Sequence, residues 1–273
     1  MTIIRVNGAA SNSISALDRG LFYGDGVFRT LRLKHGRPLN WQCQYQKLRQ
    51  DCTRLNLDCP SDIFLSHEIQ TLSSLQPDGV VKIIVTRGGG ARGYAIQNAQ
   101  QATNIVQISP APQFDPSYAY NGITLHTCQL KLGHQVLLAG VKHLNRLENV
   151  LAASEYESAH AAEGLLEDEA GWVISGTRSN LFAYRQGTLY TPDLSQCGVA
   201  GVQRDRVMTW AKDRGVECKV IQMRREALCN MDEIFLVNSV FGLWPVHKMG
   251  DYMRTQHPVA WQIQQWLNDE NNQ

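Results

Sequence analysis

Residues 109–122 read SPAPQFDPSYAYNG. Pro110, Pro112 and Pro116 each lack a backbone donor and fix their own φ, so the stretch cannot continue a strand or a helix. It reads as a connection between two differently organised halves. The expected division is a smaller N-terminal α+β domain over residues 1–110, a linker over 111–121, and a larger domain over 122–273.

Working back from the linker, NIVQISP (104–110) and GVVKIIVTRG (79–88) are rich in β-branched residues and read as strands. TIIRVNG (2–8) is a short strand ending in an Asn7-Gly8 turn. VFRTLRLKHGRPLN (27–40) is a strand that turns at His35-Gly36 and returns as an edge. Between these strands, apolar spacing predicts helices over 41–57, with Leu48, Cys52 and Leu55 on one side, and over 62–75, capped by Ser61 or Asp62.

Beyond the linker, GITLHTCQ (122–129) reads as a strand. A helix is predicted from Lys142 to about Ala162, because Val141, Leu144, Leu147, Leu151 and Ala152 recur near the helical period. GWVISGTRSNLFAYRQGTLYTP (171–192) looks hairpin-like, and a helix over 201–213 follows. VECKVIQM and EIFLVNS read as strands, VNSVFGLWPV as a strand ending at Asn238-Ser239 before an irregular turn at Pro245, and the C-terminus as a helix through Trp261 and Leu267. Two α+β domains with mixed sheets fit this order, and the cleft between them is the default place for a small molecule.

Composition narrows the function. The chain has 273 residues, 43% hydrophobic and 19% charged, with a formal net charge of +1 and scattered basic residues. That gives no electrostatic footprint for nucleic acid or a membrane surface. No apolar run is long enough to span a bilayer, and MTIIRVNG lacks the design of a signal peptide. Seven cysteines without a C-x-x-C pair or a histidine cluster point away from zinc and disulfides, and toward reduced thiols in a cytoplasm.

Four stretches suit chemistry, each with a plainer reading beside it. DRGLFYGDGVFRT (18–30) packs Gly20, Gly24 and Gly26 around aromatic residues, as a strand-entry loop or a site of close backbone approach. TRGGGARGYAIQN (86–98) sets Arg87, Arg92 and Tyr94 around three glycines. Its guanidinium groups could bind carboxylate or phosphate, or simply be solvated, and no G-K-[ST] follows to make a P-loop. GVAGVQRDRVMTWA (198–211) opens a helix at Gly201, where the N–H groups of Val202 and Gln203 could hold an anion. VNSVFGLWPV (237–246) places Ser239 just past a strand end. Lys142, in AGVKHLNRLENVL (139–151), is either a solvated lysine at a helix entrance or an amine whose apolar surroundings make it a nucleophile or base. A lysine amine joined to a phosphate site is what pyridoxal phosphate requires.

These residues resemble the fold-type-IV pyridoxal-phosphate enzymes, the family of branched-chain and D-amino-acid aminotransferases and aminodeoxychorismate lyases. The resemblance runs from DRGLFYGDGVF to LWPV, and TRGGGARGY and LAGVKHLNRLENVL place it nearest the lyase branch. It implies a two-domain α+β enzyme with pyridoxal 5'-phosphate in the cleft, a homodimer, and conversion of 4-amino-4-deoxychorismate to 4-aminobenzoate and pyruvate in folate biosynthesis. An aminotransferase of the D-amino-acid or branched-chain type is the alternative. By resemblance Lys142 takes the Schiff-base role. The phosphate falls to Val202, Gln203 and Ser239, Val199 lies against the pyridine ring, and Arg87, Arg92 and Tyr94 face the substrate. Thr30 would relay a proton, and Tyr23, Arg29 and Arg178 could also face the cleft.

Two positions depart from the family pattern. Lys47 stands where an arginine usually binds the phosphate, which keeps the charge and loses the bidentate fork. SGTRSN replaces E-G-x-x-S-N, so Ser175 stands where a glutamate usually keeps the pyridine nitrogen protonated. A hydroxyl cannot do that by charge. The loss is expected to weaken a transaminase more than a lyase, because formation of an aromatic product helps drive the lyase reaction. Drift away from efficient cofactor use is the other reading.

Overall fold

The computed structural model describes residues 1–90, 92–96, 101–159 and 161–270. The chain divides into two compact units. One comprises Met1–Gln113 with Val141–Asn145, and the other Phe114–Gly140 with Arg146–Gln273.

In the first unit β1 (Ile3–Val6) and β2 (Ala9–Ala10) form a hairpin over Asn7 and Gly8, both at positive φ. The short helix α1 (Arg19–Tyr23) ends on Gly24 in the left-handed region and leads into β3 (Gly26–Lys34). β3 turns at His35-Gly36 into β4 (Arg37–Pro38), and helices α2 (Trp41–Arg54) and α3 (Asp62–Ser73) follow. The Ser61 side chain caps α3 by accepting the Phe64 N–H at 3.2 Å. α2 stops three residues before the expected Leu57, at Leu55 and the left-handed Asn56. β5 (Gly79–Thr86) and β6 (Thr103–Ser109) complete a six-stranded sheet in the order β2-β1-β6-β5-β3-β4, with every neighbouring pair antiparallel.

Strand alternation divides that sheet into two faces. Val27, Leu31, Leu33, Val81, Ile83, Val85, Val106 and Ile108 are buried against Leu48 and Cys52 of α2 and Leu65, Ile69 and Leu72 of α3. Phe28, Thr30 and Arg32 of β3, with Lys82 and Ile84 of β5, point to the other face and are half-buried.

In the second unit α4 (Ser117–Tyr120) precedes β7 (Ile123–Leu132), and α5 (Leu147–Ser158) leads to β8 (Glu163–Asp168) and β9 (Val173–Gly176). β10 (Asn180–Arg185) and β11 (Thr188–Pro192) are a hairpin over Gln186-Gly187. α6 (Val202–Asp213), β12 (Glu217–Ile221), α7 (Arg225–Leu228), β13 (Glu233–Asn238), β14 (Gly242–Met249), β15 (Tyr252–Met253) and α8 (Pro258–Glu270) follow. The mixed, curled sheet runs β12-β11-β10-β13-β14-β7-β8-β9, with β15 on β14. The β11–β12, β14–β7 and β7–β8 pairs are parallel.

Two further expectations change. Lys142 is not the start of a helix: α5 begins at Leu147, and Lys142 to Leu144 pair with the free edge of β3 instead. The apolar spacing mixed two environments, since Val141 is fully buried in the first unit's core while Leu147, Val150 and Leu151 are exposed. The predicted extension toward Ala162 crosses His160, which lies outside the described residues. Pro245 sits inside β14, opposite Phe235, rather than in a turn. Pairing with β7 begins only after it, at Val246, so the strand there is still an edge that tolerates proline.

Candidate active site

The segment around Lys142 is fixed through its backbone. The Phe28 N–H donates to the Lys142 carbonyl at 2.9 Å, the Leu144 N–H donates to the Gly26 carbonyl at 3.0 Å, and Val27 bridges to His143. The glycines of the YGDG stretch explain the close approach. A Cβ on Gly24 would collide with Asn145, and one on Gly26 would lie 2.7 Å from Leu144 Cδ1 and 2.5 Å from the Val85 carbonyl oxygen. The Lys142 N–H donates to Asp51 Oδ2 at 3.1 Å. Asp51, buried on α2, is also ion-paired to Arg29, and Arg29 Nη2 donates to the Lys47 carbonyl at 3.2 Å. Arg29 is therefore a core residue on the helix-packed face of β3. Lys47 is half-buried one turn before Asp51, an (i, i+4) pair on α2.

The Lys142 side chain takes the opposite face of the sheet, with Nζ 4.5 Å from the centre of the Phe28 ring. Thr30 lies on that same face, two residues along β3 from Phe28. Lys142, Phe28 and Thr30 are thus gathered by one strand and its edge partner.

Tyr23 and Tyr94 belong to a second cluster in this unit, and Arg92 lies on the same loop as Tyr94. The Tyr23 and Tyr94 rings are 5.2 Å apart, and the Arg19 guanidinium stands 4.9 Å over Tyr23. Arg19 donates to the carbonyls of Gly93 at 2.8 Å and Tyr94 at 3.0 Å, tying the 92–96 loop to α1. Arg92 and Tyr94 themselves are exposed.

Arg87 has different surroundings from the substrate-facing loop expected of it. It is buried, grips Asp25 bidentately at 2.8 and 3.0 Å, and donates to the carbonyls of Asn56 at 2.7 Å and Leu55 at 2.8 Å. Asp25 also accepts from Arg19 Nε at 2.9 Å. Burial alone would push the Asp25 carboxyl up, but its hydrogen bonds and charge attraction to Arg87 and Arg19 hold it below the usual range. The sequence missed Asp25 and Arg19. The glycines around Asp25 were the available signal, since they let the chain wrap closely around a buried ion pair.

In the second unit α6 begins without a side-chain cap. The cap residue Gly201 supplies no side chain, so none bonds the first-turn N–H groups of this twelve-residue helix, Val202 and Gln203 included. Asn180 shapes the approach: Nδ2 donates to the Val199 carbonyl at 2.8 Å, and Oδ1 accepts the Gly201 N–H at 3.0 Å. A side chain at Gly201 would run into Asn180. Val199 pairs in parallel with Gly140, which is two residues before Lys142 in the chain. Ser239 follows β13 in a turn where Asn238 Oδ1 accepts the N–H groups of Val240 and Phe241, each at 2.8 Å.

Ser175 is buried on β9, opposite Leu166 of β8. Nearby, Glu163 is enclosed by the Thr177 hydroxyl and backbone N–H, the Ser179 hydroxyl at 3.2 Å and Arg178 Nε at 3.3 Å. Burial pushes the Glu163 carboxyl up, partly offset by the charge of Arg178 and by these hydrogen bonds. Arg178 itself stands within 6 Å of the Phe114, Tyr156 and Trp244 rings. Among the described residues no group of His, Cys, Asp and Glu is placed to hold a metal, and no helix is long and apolar enough to cross a membrane.

With this α+β architecture, the chain belongs to the amino-transferase class IV family, whose pattern matches residues 26–249. It is similar to 4-amino-4-deoxychorismate lyase from Pseudomonas aeruginosa, whose crystal structure superposes with a TM-score of 0.92 at 38% identity over 98% of each chain. It is 30% identical to aminodeoxychorismate lyase of Vibrio harveyi over 241 residues, 88% of this chain and 89% of that one. A Methanocaldococcus jannaschii protein named as a branched-chain-amino-acid aminotransferase is also 30% identical over 241 residues, 86% of this chain and 82% of that one.

Proposed function

We propose that this protein is an aminodeoxychorismate lyase, a carbon–oxygen lyase that uses pyridoxal 5'-phosphate to release 4-aminobenzoate and pyruvate for folate synthesis. The reading rests above all on the 38% identity to the Pseudomonas aeruginosa lyase over 98% of the chain. The residues present suit the cofactor. An uncapped helix start at Val202 and Gln203, with the Ser239 hydroxyl, has donors for a phosphate, and the half-buried Lys142 offers an amine. Lys47 would add a point charge to the phosphate, Val199 would lie against the pyridine ring, and Ser175 would neighbour its nitrogen. When bound, the cofactor supplies an electron sink for the carbon that carries the substrate amine.

In this reading the Lys142 amine takes the proton from the amine-bearing ring carbon, acting as general base. The electron pair left behind makes the ring aromatic as the bond to the enolpyruvyl oxygen breaks. The Thr30 hydroxyl relays a proton to the departing group, which becomes pyruvate. Tyr23, Arg92 and Tyr94 bind the substrate, while Arg87 acts at one remove by securing Asp25. We place the enzyme in the cytoplasm as a homodimer.

The equal 30% identity to the Methanocaldococcus jannaschii protein favours a second reading, an aminotransferase of the branched-chain or D-amino-acid type. One experiment separates the two. Purified protein with pyridoxal phosphate is given aminodeoxychorismate, and 4-aminobenzoate and pyruvate are followed together, with Lys142→Ala alongside. Equal amounts of both products, absent from the variant, support the lyase. No product, together with amino-acid half-reactions, supports the aminotransferase.

A further inference from the structure

Glu163 opens β8 with its side chain completely buried, and it takes no part in the proposed chemistry. A carboxylate taken out of water is costly unless donors meet its oxygens. The donors here are the Gly164 N–H at 3.1 Å and three consecutive residues of the turn between β9 and β10. Oε1 accepts the Thr177 N–H at 3.1 Å and the Thr177 hydroxyl. Oε2 accepts the Ser179 hydroxyl at 3.2 Å and faces Arg178 Nε at 3.3 Å. The turn already has its own closure, since the Gly176 N–H donates to the Ser179 carbonyl at 2.9 Å. A buried charge beneath it therefore fixes more than the connection of two strands: it fixes where the turn sits.

That turn reaches both segments to which the cofactor phosphate is assigned above. On one side Ser179 leads into Asn180, whose Oδ1 accepts the Gly201 N–H at 3.0 Å and whose Nδ2 donates to the Val199 carbonyl at 2.8 Å. The turn thereby sets the start of α6. On the other side the Arg178 carbonyl accepts Asn238 Nδ2 at 3.2 Å, and Asn238 Oδ1 accepts the N–H groups of Val240 and Phe241, around Ser239. Gly176 shows how closely the turn is fitted: a Cβ there would run into Ser179 Oγ and lie 3.3 Å from Glu163 Cδ. One buried carboxylate thus stands under the chain that ties the first turn of α6 to the turn of Ser239.

We infer that Glu163 is a positioning residue for the cofactor phosphate, holding the 177–179 turn so that the start of α6 and the Ser239 hydroxyl serve one phosphate group together. The inference rests on the pyridoxal-phosphate reading of this site, and it is the same for a lyase and an aminotransferase. Glu163 acts through Asn180 and Asn238 and not by touching the cofactor. Its loss is therefore felt at the phosphate, and not at the ring or the aldehyde that meets the Lys142 amine. Pyridoxal, the same molecule without its phosphate, separates the two.

The test titrates cofactor-free protein with pyridoxal phosphate and, separately, with pyridoxal, following tryptophan fluorescence. In Glu163→Gln, which keeps the shape and loses the charge facing Arg178, the Kd for pyridoxal phosphate rises about tenfold, the equivalent of about 1.4 kcal/mol. The Kd for pyridoxal stays near the native value. Inorganic phosphate, competing with pyridoxal phosphate, loses strength in parallel with it. Ser179→Ala removes one donor to the same carboxylate and leaves the charge in place. It shows a smaller rise for pyridoxal phosphate, again without change for pyridoxal, and it decides the matter if Glu163→Gln does not fold. Equal weakening of both ligands in a folded variant makes Glu163 a general support of this unit and overturns the inference. Unchanged binding of pyridoxal phosphate and of inorganic phosphate overturns it as well. A native protein that does not bind pyridoxal phosphate overturns the cofactor reading and this inference with it.

Discussion

The main-chain N–H of Lys142 is held by the carboxylate of Asp51 at 3.1 Å, across 91 residues of sequence. Asp51 is at the same time the charge partner of the buried Arg29. One carboxylate on α2 thus neutralises the core side of β3 and fixes the segment that carries the Lys142 amine on the sheet's other face. The amine's position is set by backbone contacts with β3 and α2, while its ammonium stands 4.5 Å from the centre of the Phe28 ring on the half-buried face.

Substitution of Asp51 by Asn separates these two tasks, because the amide oxygen can still accept the Lys142 N–H while the charge is lost. Arg29 would then be a buried cation without its carboxylate, a loss of about 3–5 kcal/mol. Urea unfolding should show the lower stability, and residual activity per folded molecule should stay closer to native than in Asp51→Ala. Equal stability of Asp51→Asn and the native protein would mean that Arg29 is neutralised elsewhere.

Asp25 makes the corresponding argument for the 92–96 loop. Its carboxyl is held below the ordinary value near 3.8, so its contribution to stability is present above that value and is lost as the pH falls through the depressed folded value. Asp25→Asn should cost about 2 kcal/mol by weakening the grip on Arg87 and Arg19. It should also flatten the acid limb of the stability curve below pH 4. Since Arg19 also holds the Gly93 and Tyr94 carbonyls, KM should rise more than kcat falls. A fall in kcat alone would place Asp25 nearer the chemistry than these contacts suggest.

The strands of the first unit were legible because β-branched runs such as Val80 to Val85 alternate cleanly between faces. The turns at Asn7-Gly8 and His35-Gly36 carry the residues that positive φ demands. The Ser61 cap was legible for the same local reason. What escaped depends on partners remote in sequence. Lys142 reads as helical until β3, more than a hundred residues earlier, claims its backbone. The buried strand β8 drew no assignment, because Glu163, Glu167 and Asp168 make its sequence look polar and the Thr177, Ser179 and Arg178 that satisfy Glu163 lie beyond β9. Arg87 looked free because its partner Asp25 sits 62 residues away.

His257, completely buried just before α8, gives a pH prediction in the opposite direction from a salt-bridged histidine. Burial, and then the nearby charge of His247, push its pKa below the ordinary 6.5, so the folded state favours the neutral ring. The unfolded chain takes up its proton first as the pH falls below about 6.5, and stability drops from there until the folded value is passed. Thermal unfolding between pH 7 and pH 5 should show that decline. His257→Phe, which keeps a ring against Trp261, should lose much of the slope. An equal slope in the variant would assign the decline to other groups.

Ser175 tests why the lyase reading tolerates a hydroxyl where the family pattern has a carboxylate. The position is buried on β9, so Ser175→Glu places a carboxylate where, without a partner, desolvation is costly. The cofactor-free variant should therefore melt below the native protein and recover most of the difference when pyridoxal phosphate is added. The cationic ring nitrogen would supply the missing charge. A protonated ring is a stronger electron sink, so half-reactions with D-alanine, followed in the cofactor's absorbance, should rise above the native level. A variant that regains stability with the cofactor yet shows no added transamination would mean that Ser175 does not set the reaction.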